Sequence, residues 1–172
     1  HRVDPNWAYG FPEFKKGQHE RIAAARFVSN PGCYPTGFLG LVAPLVAAKL
    51  IPSDWPYTVN AVSGYSGGGK ALIERFEGAG AAIGFRTYGL DLSHKHVPEM
   101  QQHAGLSLAP IFAPAVVKAF RGMMVEVPLP ISVMPGSDSP EEMRTCLMEH
   151  YSGSPVVKVH ADMAPSELLI LN

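Results

Sequence analysis

This sequence predicts an α+β domain, with a mixed or antiparallel sheet flanked by helices. Three observations carry that expectation. Segments with helix and strand patterning follow one another without a steady βαβ rhythm. Seventeen glycines and 16 prolines among 172 residues point to a loop-rich domain rather than a helical bundle. Hydrophobic residues at 47% supply a core, and charged residues at 17% are too few for a disordered tail, so the chain reads as one domain.

Taken in order, the first 17 residues are rich in aromatics, Pro and Gly (Trp7, Tyr9, Phe11, Phe14) and read as an ordered loop docked on the core. Arg21 to Val28 is helix by its alanines and strand by Phe27-Val28. Ser29 to Gly37 is a turn, and Phe38 to Ile51 an apolar helix that Pro44 could kink. Tyr57 to Val62 predicts a strand that enters a glycine loop, Ser63 to Lys70, followed by a helix over Ala71 to Glu77. Ile83 to Leu90 reads as a strand. Val97 to His103 opens a helix with Pro98 and Glu99 in its first turn. Met123 to Leu129 alternates as a strand. Ser139 to Tyr151 is a helix with Ser139 as N-cap and Pro140 first. Val156 to His160 and Leu168 to Leu171 complete the strands. The chain shows no internal repeat.

Composition excludes some functions. Fourteen Lys and Arg against 15 Asp and Glu leave no basic surplus to neutralise a phosphate backbone, so no nucleic-acid partner is expected. No apolar run approaches the roughly 18 residues of a membrane span, so no membrane association is expected. Two cysteines, Cys33 and Cys146, make no disulfide framework and suit a reducing, cytoplasmic setting. The start at His1 has no signal-peptide shape and no initiator Met, which suggests a piece of something longer.

The chemistry centres on Cys33. It lies between a Pro-Gly turn and an apolar helix, where free N–H groups and partial positive charge favour a thiolate. Cys146, beside Leu147 and Met148, reads as core packing. His94 and His96 are two apart and project to one side of extended backbone, so one can serve a thiol while the other binds an anion. Two solvated loop histidines are the plain alternative. A zinc site with His103 is a third reading, but no Cys pair or acidic cluster supports it, and no metal is expected. The run Gly64 to Lys70 matches the phosphate-cradling loop of nucleotide hydrolases in form, but Ala71 stands where a hydroxyl should hold Mg²⁺. A glycine turn can still bind phosphate or admit a cofactor, or simply connect. Arg86 and Arg121, at strand edges, are candidate anchors for a carboxylate or phosphate, or surface cations.

Together these strings resemble the N-acetyl-γ-glutamyl-phosphate reductase family. The strings are Ser-Asn-Pro-Gly-Cys-Tyr-Pro-Thr at 29–36, Ser-Gly-Tyr-Ser-Gly-Gly-Gly-Lys at 63–70, and Tyr88 six residues before His-Lys-His-Val-Pro-Glu at 94–99. Tyr-Gly-Phe-Pro-Glu at 9–13 and Arg-Gly-Met at 121–123 also fit. Aspartate-semialdehyde and glyceraldehyde-phosphate dehydrogenases share the chemistry but not these combined strings. The resemblance implies a fold like the C-terminal domain of glyceraldehyde-3-phosphate dehydrogenase. Residues 1–172 would be the catalytic and dimerisation domain, with the NADP-binding Rossmann domain and the terminal helix outside this chain. It implies an NADP-dependent reduction of a small-molecule acyl phosphate to a semialdehyde in arginine biosynthesis, by a homo-oligomer (dimer or tetramer). Cys33 would be the nucleophile and His94 the general acid/base. Tyr88, His96, Glu99, Arg121 and Asn30 would meet substrate, with Tyr34 and Asn30 shaping the cysteine turn. Ser63, Gly64, Ser66, Gly67 and Gly68 would lie against the cofactor. A related acyl phosphate (N-acetyl-aminoadipyl or aspartyl phosphate), a cofactor-free Cys/His thiol hydrolase and a non-enzymatic assembly domain are the alternatives.

Overall fold

The computed structural model describes residues 1–78 and 82–160. The N-terminal segment docks as expected. Strand β1 (Ala8–Tyr9) pairs in parallel with β2 (Val28–Ser29), and Tyr9, Phe11 and Phe14 are buried. Both halves of the ambiguous stretch are realised in turn, as helix α1 (Gln18–Ala24) and then β2.

Helix α2 (Cys33–Ala47) begins five residues earlier than the sequence suggests. Pro35 and Gly37 look like turn residues. A proline in the first helical turn costs nothing, however, because the N–H it lacks has no helical partner there. The helix also runs on through Pro44. Proline leaves the Gly40 carbonyl, four residues back, without its donor. The Tyr151 hydroxyl donates to that carbonyl instead, at 2.7 Å.

The main sheet has the order β4-β5-β3-β6. β3 (Thr58–Gly64) runs parallel to β5 (Ile111–Val117) and antiparallel to β6 (Met123–Glu126), while β4 (Phe85–Thr87) runs antiparallel to β5. The sheet is therefore mixed. β5, at its centre, is the strand the sequence conceals, because Pro114 argues against a central strand. β4 pairs only with Ala115–Val117 and stops one residue short of that proline. The expected strand at Val156–His160 is irregular instead. The Ser154 hydroxyl takes the N–H groups of Val156 and Val157, donors that a strand ladder would need. Leu168–Leu171 lies outside the described residues.

Helix α3 (Lys70–Glu77) follows the glycine loop, α4 (Val97–Ala104) follows the histidines, and α5 (Pro140–His150) lies near the end. The Ser139 hydroxyl caps α5, accepting from the Glu142 N–H at 3.2 Å. The core lies between α2, α4 and the inner face of the sheet. It contains Tyr34, Phe38, Leu39, Val42, Met100, Val59, Ala61 and Phe112, all buried. Residues in register share a face, so Arg86, Val116, Ser63 and Met123 form one row across all four strands on this inner side. The other face is open and carries Phe85 at 59% and Ile111 at 42% exposure.

Candidate active site

Cys33 is the first residue of α2, exposed at the helix N-terminus. It opens into a cleft of about 880 Å³. The inner-face row forms part of the cleft wall, joined by the glycine loop and by Tyr88, His94 and His96. Three strings far apart in sequence thus line one cleft.

The turn before Cys33 is held from α4. Glu99 is 1% exposed, and its Oε1 accepts the Gly32 N–H at 2.7 Å and the Tyr9 hydroxyl at 2.7 Å. Arg2 Nη1 donates to Oε2 at 3.4 Å. The carboxylate is behind the turn rather than in the cleft, so it positions the nucleophile's neighbour. Gly32 permits this close approach, since a Cβ there would stand 2.6 Å from His96 Nε2 and 2.9 Å from Glu99 Oε2. Burial and the bond to Glu99 push the Tyr9 hydroxyl well above its usual range.

On the strand side, the Tyr88 hydroxyl donates to the Tyr34 hydroxyl at 3.1 Å. Tyr34 in turn donates to Ser63 Oγ at 2.9 Å, with the Ala115 carbonyl at 3.3 Å. Burial, then the bond to Tyr34, raises the Tyr88 hydroxyl. The glycine loop makes a tight turn over Tyr65–Gly68. Gly69 then takes φ 72° and ψ −169°, a conformation essentially closed to other residues, before α3 starts. Ser63, Gly64, Ser66, Gly67 and Gly68 all line the cleft. A Cβ at Gly67 would meet only Ser63 Oγ, at 3.9 Å, so bare backbone faces the opening.

His94 and His96 meet edge to face, with ring centroids 4.7 Å apart. Burial, then the adjacent Lys95, holds His94 below the ordinary imidazole range. His96 is 5% exposed, and burial, then His94, Arg2 and Lys95, pushes it down to about 4. Its Nδ1 has no hydrogen-bond partner among the described residues, which suits a neutral ring. Burial also lowers His103, which stacks on Tyr9 with its Nε2 against the Arg2 carbonyl at 2.7 Å. Among the described residues no group of three His, Cys, Asp or Glu could hold a metal ion.

These depressed values set a stability prediction. An unfolded histidine takes up its proton near pH 6.5, while folded His96 does so only near 4. Between those values the unfolded chain binds more protons, so stability is fully present above pH 6.5 and falls as the pH drops. His96 alone corresponds to about 3 kcal/mol by pH 4. Urea denaturation of wild type and His96→Gln at pH 7 and pH 4.5 checks this. The variant should lose less than wild type on acidification, and equal losses would disprove the assignment.

Other residues singled out in the sequence stand elsewhere. Arg121 and Asn30 are exposed and do not line the cleft. Cys146 is half-buried in α5, with its sulfur 4.0 Å from the Pro44 carbonyl. Arg86, Arg75, Lys95 and Arg2 all line the cleft, and among the described residues no carboxylate does. Arg2 and Arg75 go unmarked in the sequence, and Tyr9 is marked without its tie to Glu99, since that partner is 97 positions from Arg2 and 90 from Tyr9.

Comparison with known proteins identifies the family to which the chain belongs. The family model described as semialdehyde dehydrogenase, dimerisation domain, matches residues 33–168. An N-acetyl-gamma-glutamyl-phosphate reductase of Brucella ovis is 54% identical over 164 residues, covering 92% of this chain and 53% of the relative. N-acetyl-gamma-glutamyl-phosphate reductase 2 of Pseudomonas putida is 51% identical over 161 residues, covering 92% and 51%. The chain spans about half the length of the curated relatives it matches. Among solved structures, aspartate semialdehyde dehydrogenase II from Vibrio cholerae superposes with a TM-score of 0.56 at 19% identity, over 86% of this chain and 50% of that one. The fold is therefore that of the C-terminal part of this dehydrogenase class.

Proposed function

We propose that this chain, which belongs to the semialdehyde dehydrogenase dimerisation-domain family, is the catalytic domain of an NADPH-dependent reductase of N-acetyl-γ-glutamyl phosphate. One observation carries the reading: an exposed cysteine at a helix N-terminus shares one cationic cleft with two low-pKa histidines and a bare glycine loop. The substrate comes from the names of the relatives, and the four cations of the cleft, with no carboxylate among its described lining residues, suit a phosphorylated acid.

The Cys33 sulfur attacks the acyl carbon, a C–S bond forms, and the C–O bond to phosphate breaks. Phosphate departs and takes up one proton, leaving a thioester. Cys33 is the first residue of α2, so negative charge gathered on its sulfur is at the positive end of the helix dipole. His94 stands at the developing oxyanion, with Tyr88 and His96 on the substrate side. Ser63, Gly64, Ser66, Gly67 and Gly68 would hold the nicotinamide end of the cofactor, because no side chain obstructs approach to Gly67. When bound, NADPH supplies a hydride to the thioester carbon. The C–S bond then breaks, the semialdehyde forms and Cys33 returns as thiolate. Both cysteines are free, which suits a reducing compartment such as the cytoplasm.

Intact mass after mixing with N-acetyl-γ-glutamyl phosphate tests the reading. One acyl group added is the expected result. Turnover of simple activated esters without any such adduct would favour a thiol hydrolase instead.

The family description, together with the open sheet face, supports a homo-oligomer in which a second copy covers Phe85, Ile111 and Val62. Ile111→Lys places a charge on that face, at the start of β5, without touching the core. Light scattering should show the assembly falling to monomer, and an unchanged mass would rule this face out.

A further inference from the structure

We propose that a second copy of this chain, seated on the open sheet face, closes over the turn Gly89–Leu92 and so fixes Tyr88 in the cleft, which is complete only in the assembled protein. The proposal rests on the homo-oligomer reading above.

The turn itself points to a second copy. Gly89 has φ 63° and Leu92 has φ 58°. Glycine adopts that left-handed backbone freely, but a leucine is strained there. Within one chain no burial offsets the strain, because Leu92 stays 53% exposed and Leu90 79%. Both leucines line an apolar groove of about 280 Å³ on the outer face, together with Phe85 and Val62. Among the described residues no charged side chain lines that groove. The face can therefore meet its own copy without like-charge repulsion, as an isologous contact requires. Burying the leucines there supplies the gain that the single chain lacks.

The same turn reaches the cleft. Tyr88, the residue before it, lines both the outer groove and the 880 Å³ cleft. On the cleft side its hydroxyl donates to Tyr34 at 3.1 Å. Its backbone N–H donates to the Pro114 carbonyl at 3.3 Å, just past the last ladder pair of Thr87 with Ala115. A Cβ at Gly89 would stand 3.5 Å from Pro114 Cγ and 3.9 Å from His94 Cβ, so the turn starts wedged between β5 and the entry to α4. From Leu90 to Ser93 the support is only internal among the described residues. The Leu92 N–H donates to the Gly89 carbonyl at 3.0 Å, and Asp91 accepts the Ser93 N–H and hydroxyl. Neither leucine belongs to the core. A stretch held at its ends samples several arrangements, and a copy that buries its leucines selects one of them. A site competent in a fraction of molecules reacts in proportion to that fraction.

Ile111→Lys provides the single chain for the test, since it charges the face at the start of β5 and lies outside both the turn and the cleft. Near-ultraviolet circular dichroism checks that it stays folded. Acylation by N-acetyl-γ-glutamyl phosphate, read by intact mass, should be about tenfold slower per chain than in assembled wild type. Diluting wild type should lower its rate in step with its mass by light scattering, which gives the same answer without a variant. Leu92→Gly relieves the backbone and removes the side chain. It should slow acylation at least about threefold in the wild-type background and leave the Ile111→Lys background unchanged, because no partner remains there to touch it. Amide hydrogen exchange over residues 88–93 should be about tenfold faster in Ile111→Lys than in wild type, relative to exchange in α5. A single chain that acylates as fast as the assembly, a Leu92→Gly effect equal in both backgrounds, or equal exchange over 88–93 would each overturn the coupling and leave the homo-oligomer intact. Wild type that is monomeric at every concentration, or an assembly that survives Ile111→Lys, would overturn the coupling together with the assignment of this face. If wild type forms no acyl adduct, the acyl-phosphate reading fails and the exchange measurement decides the coupling.

Discussion

Cys33→Ser should form no acyl adduct with N-acetyl-γ-glutamyl phosphate, while Cys146→Ser should acylate at the wild-type rate. The two thiols differ in every respect that matters for nucleophilic attack. Cys33 is exposed, begins α2 and opens into the cationic cleft. Cys146 is half-buried on α5, faces the Pro44 carbonyl, and burial pushes its thiol up. Serine keeps the shape at position 33 but replaces the sulfur with a hydroxyl that stays protonated at neutral pH. Loss of an essential nucleophile costs on the order of 10⁴-fold or more. Intact mass at fixed short times resolves that range. An adduct that persists in Cys33→Ser and vanishes in Cys146→Ser would move the nucleophile to α5 and remove the basis for the proposed mechanism.

The parts of this site that could be read from the sequence are those whose chemistry is local. A cysteine after Pro-Gly and before an apolar run announces a helix N-terminus, although the helix takes in Pro35 and Gly37 and so starts at Cys33 itself. A His-x-His pair and a run of glycines likewise carry their meaning within a few residues. What was not legible depends on register between distant segments. The inner-face row of Arg86, Val116, Ser63 and Met123 exists only because β5 lies between β4 and β3, and Pro114 hides β5 from any propensity argument. Glu99 is a similar case: the resemblance gives it as a substrate contact, and nothing within α4 itself announces where its side chain is buried. The packing of α4 on α2 buries it and aims it at a backbone N–H 67 residues earlier. Arg121, singled out for its place at a strand edge, and Asn30, named from the resemblance, are both exposed and outside the cleft, because neither a strand edge nor a motif by itself turns a side chain inward.

That buried carboxylate makes Gly32 the most sensitive position outside the reacting groups, and Gly32→Ala should slow acylation by about 100-fold. Alanine faces no backbone penalty here, because Gly32 has φ −67° and ψ 147°, ordinary extended values. The cost comes entirely from neighbours. The new methyl would stand 2.6 Å from His96 Nε2, 2.7 Å from His96 Cδ2 and 2.9 Å from Glu99 Oε2. None of these can retreat freely. His96 is buried between Tyr34 and His94, and Glu99 is tied to Tyr9 and to the Gly32 N–H itself. The turn must therefore move outward, taking the Gly32–Glu99 bond and the adjacent sulfur with it. Overpacking of this kind costs about 1–3 kcal/mol of stability, small enough for the chain to remain folded. A nucleophile displaced by about 1 Å loses on the order of 10² in rate. The double variant Gly32→Ala/His96→Ala separates crowding from other causes, because removing the ring takes away the two shortest of the three contacts. Acylation slower in Gly32→Ala than in the double variant would place the defect in this contact. Wild-type acylation by Gly32→Ala would show that the Glu99 clasp does not set the position of the sulfur.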